Sequence, residues 1–310
     1  MAVTSDVLRR GRELMRVIAC IVTYEPEVDL LQANIAAVLG QVEGLVLIDN
    51  ASSSLPAFLE NLEPRVEIHR QSENLGLSKA MNLAAVRARA RGADAILMLD
   101  QDSVLSEGAV ASLSAALSGH PECAIVAARM VDRNVDSTSG LSAGTLEVVN
   151  ACITSGSLIR FSDWAAVGGW DEQLFIDYVD FDFCLRLRMR GRGIVIDQAT
   201  TMGHSIGNAR RTGRVVVWGH GAGRLERMAN DVVLYARKHR RSPAELQVVS
   251  RSVARAVVGL CWKAVVIVGY EQSKSAKLCA LARGATKGLS RRPGRNVMRR
   301  IVPSRPGDAG

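Results

Sequence analysis

The feature that most constrains this chain is an apolar run that leads into two aspartates. Residues 95–99, Ala-Ile-Leu-Met-Leu, are followed by Asp100, Gln101 and Asp102. A short apolar run bounded by polar residues predicts a buried strand of a parallel sheet. Open α/β sheets bind ligands beyond the carboxyl ends of such strands, where two carboxylates can hold a divalent cation and a hydroxyl-rich ligand. Taken alone, Asp-x-Asp is more often a solvated turn. A ligand site is therefore predicted only if other parts of the chain also point to one.

Further apolar runs alternate with helical patterns over the first two thirds of the sequence. The predicted strands are 17–23, 45–48, 66–69, 95–99, 124–129, a strand within 152–159, and 194–196. The predicted helices are 28–39, about 79–91 with Ser78 as cap, a helix from Ser106 to about Leu117, and 180–190. Residues 132–150 are polar and small, and we expect loops or an irregular hairpin there. Strands alternating with helices predict a mostly parallel α/β sheet with right-handed crossovers.

The last part of the chain is predicted to be helical. We expect helices over 228–239, over 244–270 with a bend near Gly259, and over 274–289. The predicted organisation has three parts: an N-terminal extension over 1–15, an α/β domain over 16–224, and a helical region with a basic tail over 225–310.

The net charge of +8 belongs almost entirely to this tail. Residues 272–310 hold ten Lys or Arg and one acid, so they carry +9 while the rest of the chain carries −1. Apolar helical residues over 256–270 lie next to these charges, but Lys263 interrupts them and they are short for a membrane span. This pattern predicts that residues 256–305 attach to an anionic membrane surface. The alternatives are a tail that binds nothing and one that packs on a second subunit in a homo-oligomer. Nucleic acid is not expected, because the tail lacks interleaved aromatic residues.

The cysteines and the N-terminus favour a cytoplasmic protein. The six cysteines form no Cys-x-x-Cys pair and mostly lie in apolar surroundings, which is typical of reduced thiols. Residues 1–16 contain four arginines and no long apolar stretch, so a secretory signal is not expected. We predict a protein of the cytoplasm, peripheral on the inner face of the cytoplasmic membrane.

Three further polar residues follow predicted strands or open a predicted helix. Asp49 ends the second strand, where it can accept a hydrogen bond from a base or a ribose, or form a turn with Asn50 and Ser52. Asp180 lies at a helix start, where the macrodipole favours its ionised form and a plain helix cap is the alternative. His204 follows an apolar strand, and a lone histidine there is more often structural than a ligand.

Taken in order, these motifs resemble the inverting family 2 glycosyltransferases of the GT-A fold. The resemblance runs from about residue 17 to 204 and is carried by Thr23-Tyr24, Asp49-Asn50-Ala51-Ser52, Asn74-Leu75-Gly76 with Asn82, Asp100-Gln101-Asp102-Ser103, Gly168-Gly169-Trp170-Asp171 and the segment 175–186. The Asp-Gln-Asp-Ser and Phe-Ile-Asp-Tyr-Val-Asp segments look most like bacterial rhamnosyltransferases that use dTDP-L-rhamnose. The resemblance implies a GT-A domain with a C-terminal helical extension. It also implies transfer of a sugar, L-rhamnose, from a nucleotide-diphospho-sugar to a hydroxyl of a cell-surface glycan or a lipid-linked acceptor.

The resemblance implies a role for each matched position. Donor-binding residues would be Thr23, Tyr24, Asp49, Asn74, Gly76, Asp100 and Gln101. Acceptor-side residues would be Gly156, Trp170, Asp171, Asp177 and Asp182. Asp102 and His204 would hold Mg²⁺ or Mn²⁺, and Asp180 would be the general base.

Two points stay open at this stage. Many relatives have Glu-Asp where this chain has Val179-Asp180, so a second acid comes from Asp177 or Asp182 or is unnecessary. Trp170 either stacks on an acceptor sugar or is a core tryptophan.

Other functions fit the sequence less well. A dinucleotide-dependent oxidoreductase is disfavoured, because the glycines of residues 219–223 lack the G-x-G-x-x-G spacing and lie late in the chain. A sugar nucleotidyltransferase would need a Gly-rich basic loop after Val22, which is missing. The third alternative is a noncatalytic glycosyltransferase-like partner in a glycan-assembly complex, in which Asp180 and Asp102 would be out of each other's reach.

Overall fold

A mixed sheet between two layers of helices forms the centre of the protein. The structure is a computed structural model, and it describes residues 15–132, 145–204, 210–212, 215–217, 219–249 and 252–294. The strands in these ranges are β1 (Val17–Thr23), β2 (Gly44–Asp49), β3 (Val66–Arg70), β4 (Ala95–Asp100), β5 (Val104–Leu105), β6 (Cys123–Asp132), β7 (Leu146–Val148), β8 (Ser157–Arg160), β9 (Gly193–His204), β10 (Arg210–Thr212) and β11 (Val215–Val217). The α-helices are α1 (Val28–Leu39), α2 (Leu77–Ala90), α3 (Ala109–Gly119), α4 (Phe161–Ala166), α5 (Val179–Arg188), α6 (Ala222–Lys238), α7 (Val253–Tyr270) and α8 (Lys274–Ser290).

Strands β1, β2 and β4 are buried on both faces, as their continuous apolar sequences predict. Ile18 and Ile96 point to the face covered by α2, α4 and α5. Ile21 and Leu97 point to the opposite face, which is covered by α1 and α3. Because successive side chains of a strand alternate between faces, the sheet holds two apolar cores.

The strand order is β3-β2-β1-β4-β8-β6-β9-β5, and β7 also pairs with β9. The predicted parallel pairing holds for β1 with β2 and β4, for β2 with β3, and for β6 with β9. Strand β8 instead runs antiparallel to both β4 and β6, and β5 and β7 run antiparallel to β9. The sheet is therefore mixed, and β8 brings its first residues to the edge where β4 ends.

Two predicted helix caps are wrong in detail. Helix α2 starts at Leu77 after Gly76, so Ser78 lies inside the helix and is buried. Helix α3 starts at Ala109, and the Ser106 hydroxyl accepts a hydrogen bond from the N–H of Thr201 at 3.3 Å. In both cases the residue before the helix is a glycine at positive φ, and no side chain caps the helix.

The C-terminal helices are joined to the α/β domain through α6. Leu234 and Tyr235 of α6 belong to the core beneath the sheet, while Leu225 packs with Ile267 of α7 and Leu281 of α8. The boundary predicted between residues 224 and 225 falls inside this continuous helix. Helix α7 starts at Val253 rather than at residue 244, because residues 244–246 form a separate 3₁₀ turn.

Candidate active site

The carboxyl ends of β1, β2 and β4 meet at one edge of the sheet. The register pairs Thr23 with Asp49 and Val22 with Asp100, so the two acids flank the end of β1. Next to Asp100, side chains of β1, α2, β4 and the loop before β8 enclose a narrow gap that is too small to admit a water molecule, lined by Val22, Leu77, Met81, Met98, Leu99, Asp100, Thr154 and Ser155. This is the edge at which open α/β sheets bind ligands.

Asp49 closes a turn at the end of β2. Its Oδ1 accepts hydrogen bonds from the Ser52 hydroxyl at 2.5 Å and the Thr23 hydroxyl at 3.4 Å, and Arg70 Nε lies 3.6 Å from Oδ2. Ala51 has φ +70° within this turn. The structure thus contains the turn that was the alternative to base recognition. Because Asp49 is fully buried, a donor base would reach its carboxylate only if the turn moved aside.

Asn50 and Asn74 build the loop that leads into α2. Asn50 Nδ2 donates to Asn74 Oδ1 at 3.1 Å, and Asn50 Oδ1 accepts from the N–H of Leu75 at 2.8 Å. Gly76 has φ +83°, and a Cβ there would lie 2.7 Å from Phe175 Cδ2. Only glycine combines this backbone conformation with that close approach. Gly76 therefore brings the loop of residues 74–76, named the donor-side loop because donor binding is expected there, against the segment before α5.

The loop after β4 is fixed by contacts with α1 and with the loop after β1. Asn34 Nδ2 donates to the carbonyl oxygen of Asp100 at 2.6 Å. The N–H of Tyr24 donates to Gln101 Oε1 at 2.8 Å, while the Tyr24 side chain is exposed. Residues expected to bind the donor from two separate strands are therefore hydrogen-bonded to each other.

The dipeptide Thr154-Ser155 links Asp100 to Asp180. Ser155 Oγ accepts from the N–H of Asp100 at 2.8 Å and donates to Ser103 Oγ at 2.8 Å. The neighbouring Thr154 hydroxyl donates to Asp180 Oδ1. Acids that lie 80 residues apart in the sequence are thus separated in space by two adjacent residues. Sequence reasoning missed Thr154, because a threonine before a Ser-Gly-Ser segment carries no signal of its partner.

Two opposing effects act on the pKa of Asp180, which lies in the first turn of α5. Burial raises its pKa above the usual aspartate value, and the side-chain and backbone hydrogen bonds from Thr154 partly offset that rise. Burial likewise raises the pKa of Asp177, which Arg224 counteracts. A carboxylate with a raised pKa is a stronger proton acceptor once it is ionised.

Asp102 and His204 are carried by adjacent backbone segments. Strand β5 begins two residues after Asp102 and pairs antiparallel with β9, Val104 opposite Gly203. Continuing this register by one step would place residue 204 opposite residue 103, which follows Asp102 in the sequence. Asp102 is partly exposed.

Four of the expected acceptor-side residues belong to the interior, which corrects that expectation. Trp170 is 1% exposed, and its ring stacks on Phe183 with centroids 4.9 Å apart. It is the core tryptophan of the two alternatives. Gly156 bonds to both neighbouring strands, its N–H donating to the Met98 carbonyl at 2.8 Å and its carbonyl accepting from Ala128 at 2.9 Å.

The acids Asp171 and Asp182 are buried in ion pairs with α6. Asp182 Oδ1 lies 2.6 Å from Lys238 Nζ and 2.8 Å from His239 Nε2, and Oδ2 accepts from Arg186 at 2.7 Å. Asp171 Oδ2 lies 2.5 Å from the same Lys238. Burial alone would raise the pKa of Asp182, but the charges of Arg186 and Lys238 and the hydrogen bond to His239 hold it well below its usual range. Of the expected acceptor-side residues, only Asp177 lies partly exposed near Asp180.

Comparison with known proteins decides the family. The sequence pattern described as "Glycosyl transferase family 2" matches residues 18–157. The chain is 30% identical over 209 residues to the dTDP-rhamnosyl transferase RfbF of Shigella flexneri, across 61% of this chain and 69% of the relative. The chain belongs to glycosyl transferase family 2. It is thus a nucleotide-sugar glycosyltransferase, and the matched segment contains Asp100 and Asp102, while Asp180 and His204 lie beyond it.

Solved structures confirm the predicted GT-A fold for this family 2 chain. Residues 1–349 of S. aureus TarS align with a TM-score of 0.58 at 12% identity, covering 89% of this chain and 81% of that one. The mannosyltransferase PcManGT from Pyrobaculum calidifontis, in complex with GDP-Man and Mn²⁺, aligns with a TM-score of 0.56 at 15% identity, covering 89% and 87%. GalNAc-T7 with UDP, GalNAc and Mn²⁺ aligns with a TM-score of 0.56 at 14% identity. The alignment covers 84% of this chain and 58% of the GalNAc-T7 chain.

The donor edge fits a divalent cation held jointly by protein and substrate. Among the residues that the structure describes, no group of three or more His, Cys, Asp or Glu side chains could hold a metal ion. Asp100 and Asp102 offer partly exposed carboxylates two residues apart. One or two carboxylates together with substrate phosphates is the arrangement by which proteins commonly hold Mg²⁺.

Proposed function

We propose that this protein transfers L-rhamnose from dTDP-L-rhamnose to a hydroxyl of a glycan or lipid-linked acceptor, with inversion at the anomeric carbon. The likeness to a relative named as a dTDP-rhamnosyl transferase supports the donor. The observation that carries the reaction type is the link from Asp100 through Ser155 and Thr154 to Asp180. It connects the backbone N–H of Asp100, at the end of β4, to the carboxylate of Asp180, whose pKa is raised by burial.

Asp180 is the general base in this proposal. It removes the proton of the acceptor hydroxyl while that oxygen attacks the anomeric carbon from the side opposite the diphosphate. Direct displacement needs no covalent sugar–enzyme intermediate, so a single base suffices and Val179 need not be an acid. Positioned general-base catalysis contributes about 10²–10⁴-fold.

Asp100, Asp102 and His204 form the donor end of the proposed site. Asp100 contacts the ribose or the sugar, and Asp102 and His204 hold Mg²⁺ or Mn²⁺. The bound cation would supply charge neutralisation for the departing diphosphate. Carboxylate oxygens suit both cations, and an imidazole ligand makes Mn²⁺ the better match. Thr23, Tyr24, Asn74, Gly76 and Gln101 shape the walls around the nucleotide.

A panel of nucleotide sugars tests this proposal. Purified protein is incubated with each donor and with Mg²⁺, Mn²⁺ or EDTA, and sugar release and thermal stabilisation are measured. We expect dTDP-L-rhamnose to give the largest metal-dependent response. Asp180→Asn should bind this donor as wild type does but lose turnover, and Asp102→Ala should lose metal-dependent donor binding by calorimetry.

Glu122→Gln is the matched control, because Glu122 is an exposed acid just before β6, at the opposite edge of the sheet. It should bind the donor and turn over as wild type does. Turnover by Asp180→Asn at the wild-type rate would refute the base assignment. Donor binding without turnover for every sugar and acceptor would favour the noncatalytic binding partner instead.

We also propose that α7 lies in the plane of an anionic membrane. Its inner face packs on α6 and α8 through residues such as Ala256 and Ile267. Its outer face exposes a series of large apolar side chains: Val257, Val258, Trp262, Val265, Val268 and Tyr270. By length and composition, α7 is the one helix among the described residues that could cross a membrane. We favour the in-plane position, because its inner face is already packed on protein.

Charge supports a membrane rather than a second subunit as the occupant of this face. Arg255, Lys274 and Arg291 are exposed near the ends of α7 and α8, and the sequence from 272 onward carries +9. Anionic lipid attracts such residues by about 1 kcal/mol each near the surface. A symmetric dimer through α7 would instead bring these like charges together.

Vesicle flotation tests the membrane proposal. Vesicles of phosphatidylcholine with phosphatidylglycerol should carry the protein, and vesicles of phosphatidylcholine alone should carry less. Trp262→Glu should abolish flotation, while Val148→Glu, at an 80% exposed valine of β7, should not change it. Loss of a dimer in Trp262→Glu without any wild-type flotation would assign the face to a second copy. Resistance to an alkaline wash would indicate a spanning helix.

A further inference from the structure

Asp231 of α6 is a buried carboxylate that the proposed chemistry does not use. Its side chain is completely buried, and Oδ2 accepts hydrogen bonds from three successive backbone N–H groups. These belong to Phe175 at 3.0 Å, Ile176 at 2.8 Å and Asp177 at 3.0 Å. Asn230 Nδ2 donates to Oδ1 at 2.9 Å. One oxygen therefore fixes the backbone of the segment that leads into α5.

The same segment contacts both ends of the candidate site. The carbonyl oxygen of Phe175 accepts from the N–H of Leu77, the first residue of α2, at 2.6 Å. The Phe175 ring lies between Gly76 and Arg227, whose guanidinium is 3.9 Å from the ring centroid. On its other side, the segment continues through Tyr178 into the first turn of α5, which carries Asp180. Asp231 is thus attached to a strap, residues 175–178, that runs from the donor-side loop to the base.

The strap adopts a conformation that it would not hold unaided. Tyr178 has φ +63°, a left-handed conformation that non-glycine residues rarely adopt. Its ring stacks on Tyr235 of α6 with centroids 4.9 Å apart. Backbone strain of this kind persists where the surrounding structure imposes it. The Asp231 carboxylate and the Tyr235 ring, both of α6, hold the strap in place together with Arg227, which contacts the Phe175 ring.

We propose that Asp231 is a positioning residue that fixes strap residues 175–178 and thereby aligns Asp180 with the donor-side loop. The proposal rests on the proposed function for the role of Asp180. Burial raises the pKa of Asp231 to about 6 despite the N–H donors, so the ionised carboxylate does not maximise stability at neutral pH. A side chain that only stabilised the fold would gain nothing from this charge, whereas three N–H groups bind a charged acceptor most strongly.

Asp231→Asn tests the proposal, since it keeps the shape of the side chain and removes the charge. We expect kcat to fall about 10–100-fold, as small misplacements of catalytic groups do, with the donor KM little changed and the melting temperature not lowered. Amide hydrogen exchange should become faster at residues 175–177. Glu226→Gln is the control on the same helix, because Glu226 pairs with Arg283 and Lys287 on the outer side. Glu226→Gln should change neither kcat nor the amide hydrogen exchange of residues 175–177.

Each outcome decides between the two proposals. Wild-type kcat in Asp231→Asn, with wild-type turnover established, would overturn the positioning role and leave the function standing. A parallel loss of kcat and melting temperature would reduce Asp231 to a structural residue. If wild-type protein turns over no donor, the proposed function fails, while hydrogen exchange still measures the strap. If Asp231→Asn does not fold, exchange in the wild type decides: unprotected amides at 175–177 would exclude the contact.

Discussion

At the scale of single residues, the hydroxyl of Thr154 limits how far burial raises the pKa of the proposed base, Asp180. It donates to Asp180 Oδ1 and so favours the ionised form, against the burial that raises the pKa. Thr154→Val keeps the shape of the side chain and removes the donor, so the pKa of Asp180 should rise further. Because the ionised carboxylate is the active form in the proposed mechanism, the acid limb of the kcat profile should move to higher pH.

The pH profile of kcat measures this shift. Ser157→Ala is the control, because its hydroxyl donates to the Ile153 carbonyl at 2.7 Å rather than to Asp180. Its acid limb should match that of the wild type. A limb that stays in place in Thr154→Val would mean that another group limits the rate on the acid side.

Asp182 supports a prediction about stability instead of catalysis. Its carboxylate is fully buried and paired with Arg186, Lys238 and His239. Removing one partner of a buried ion pair leaves the others uncompensated and costs about 3–5 kcal/mol. Asp182→Asn should therefore lower the free energy of unfolding by about that amount at pH 7, measured by urea denaturation.

The pH dependence of this effect has a definite sign. Since the folded pKa of Asp182 is lowered, its contribution to stability is complete above the unfolded pKa of about 3.9. That contribution disappears as the pH falls toward the folded pKa. The difference between wild type and Asp182→Asn should accordingly shrink below pH ~4. An equal difference at acidic and neutral pH would contradict the ion-pair explanation.

At the scale of elements, the close crossing of α6 and α8 depends on glycine. A Cβ on Gly284 would collide with the carbonyl oxygen of Glu226, and one on Gly288 would lie 2.7 Å from that of Asn230. Gly284→Ala should therefore push the helices apart and lower the free energy of unfolding by about 1–3 kcal/mol. Gly269→Ala on α7, where a Cβ meets open space, should change it by no more than about 1 kcal/mol. Equal melting curves for the two variants would contradict the packing argument.

Most strands and helices could be predicted from the sequence, but few of the contacts between elements that are distant in the sequence could be. Apolar runs such as 95–99 identified the strands and put Asp100 and Asp102 at a strand end, because burial on both faces leaves a clear local signal. The reversed direction of β8 had no such signal, since strand direction depends on contacts distant in sequence. Thr154 and Asp231 were missed for the same reason: their partners lie 26 and more residues away.

Trp170 shows a related limit at the same scale. An aromatic residue after two glycines is compatible with a sugar platform and with a core position. The structure decides between them through Asn82 of α2, which accepts from the Trp170 N–H and donates to its carbonyl, both at 2.9 Å. These two bonds draw the residue beneath α2, a contact that only the folded chain reveals.

At the scale of the whole molecule, the proposed membrane face and the proposed site belong to one assembly, joined through α6. Helix α6 contacts α7 and α8 on one side and carries Asp231 and Tyr235 on the other. If α7 rests on the bilayer, a lipid-linked acceptor meets the site by diffusion in two dimensions. Trp262→Glu should then reduce turnover of an acceptor in anionic vesicles much more than turnover of a water-soluble acceptor analogue. Equal losses with both acceptors would separate membrane binding from acceptor supply.

The antiparallel pairing of β8 also determines how far apart the two ends of the proposed site lie. An antiparallel strand rises about 3.4 Å per residue, so a two-residue slip of β8 would keep every side chain on its face yet carry Thr154 and Ser155 about 7 Å away. The hydrophobic pattern would tolerate such a slip, whereas Asp180 would lose its link to Asp100. In the proposed reaction, strand register therefore determines how far the Asp180 carboxylate lies from the end of β4 that carries Asp100.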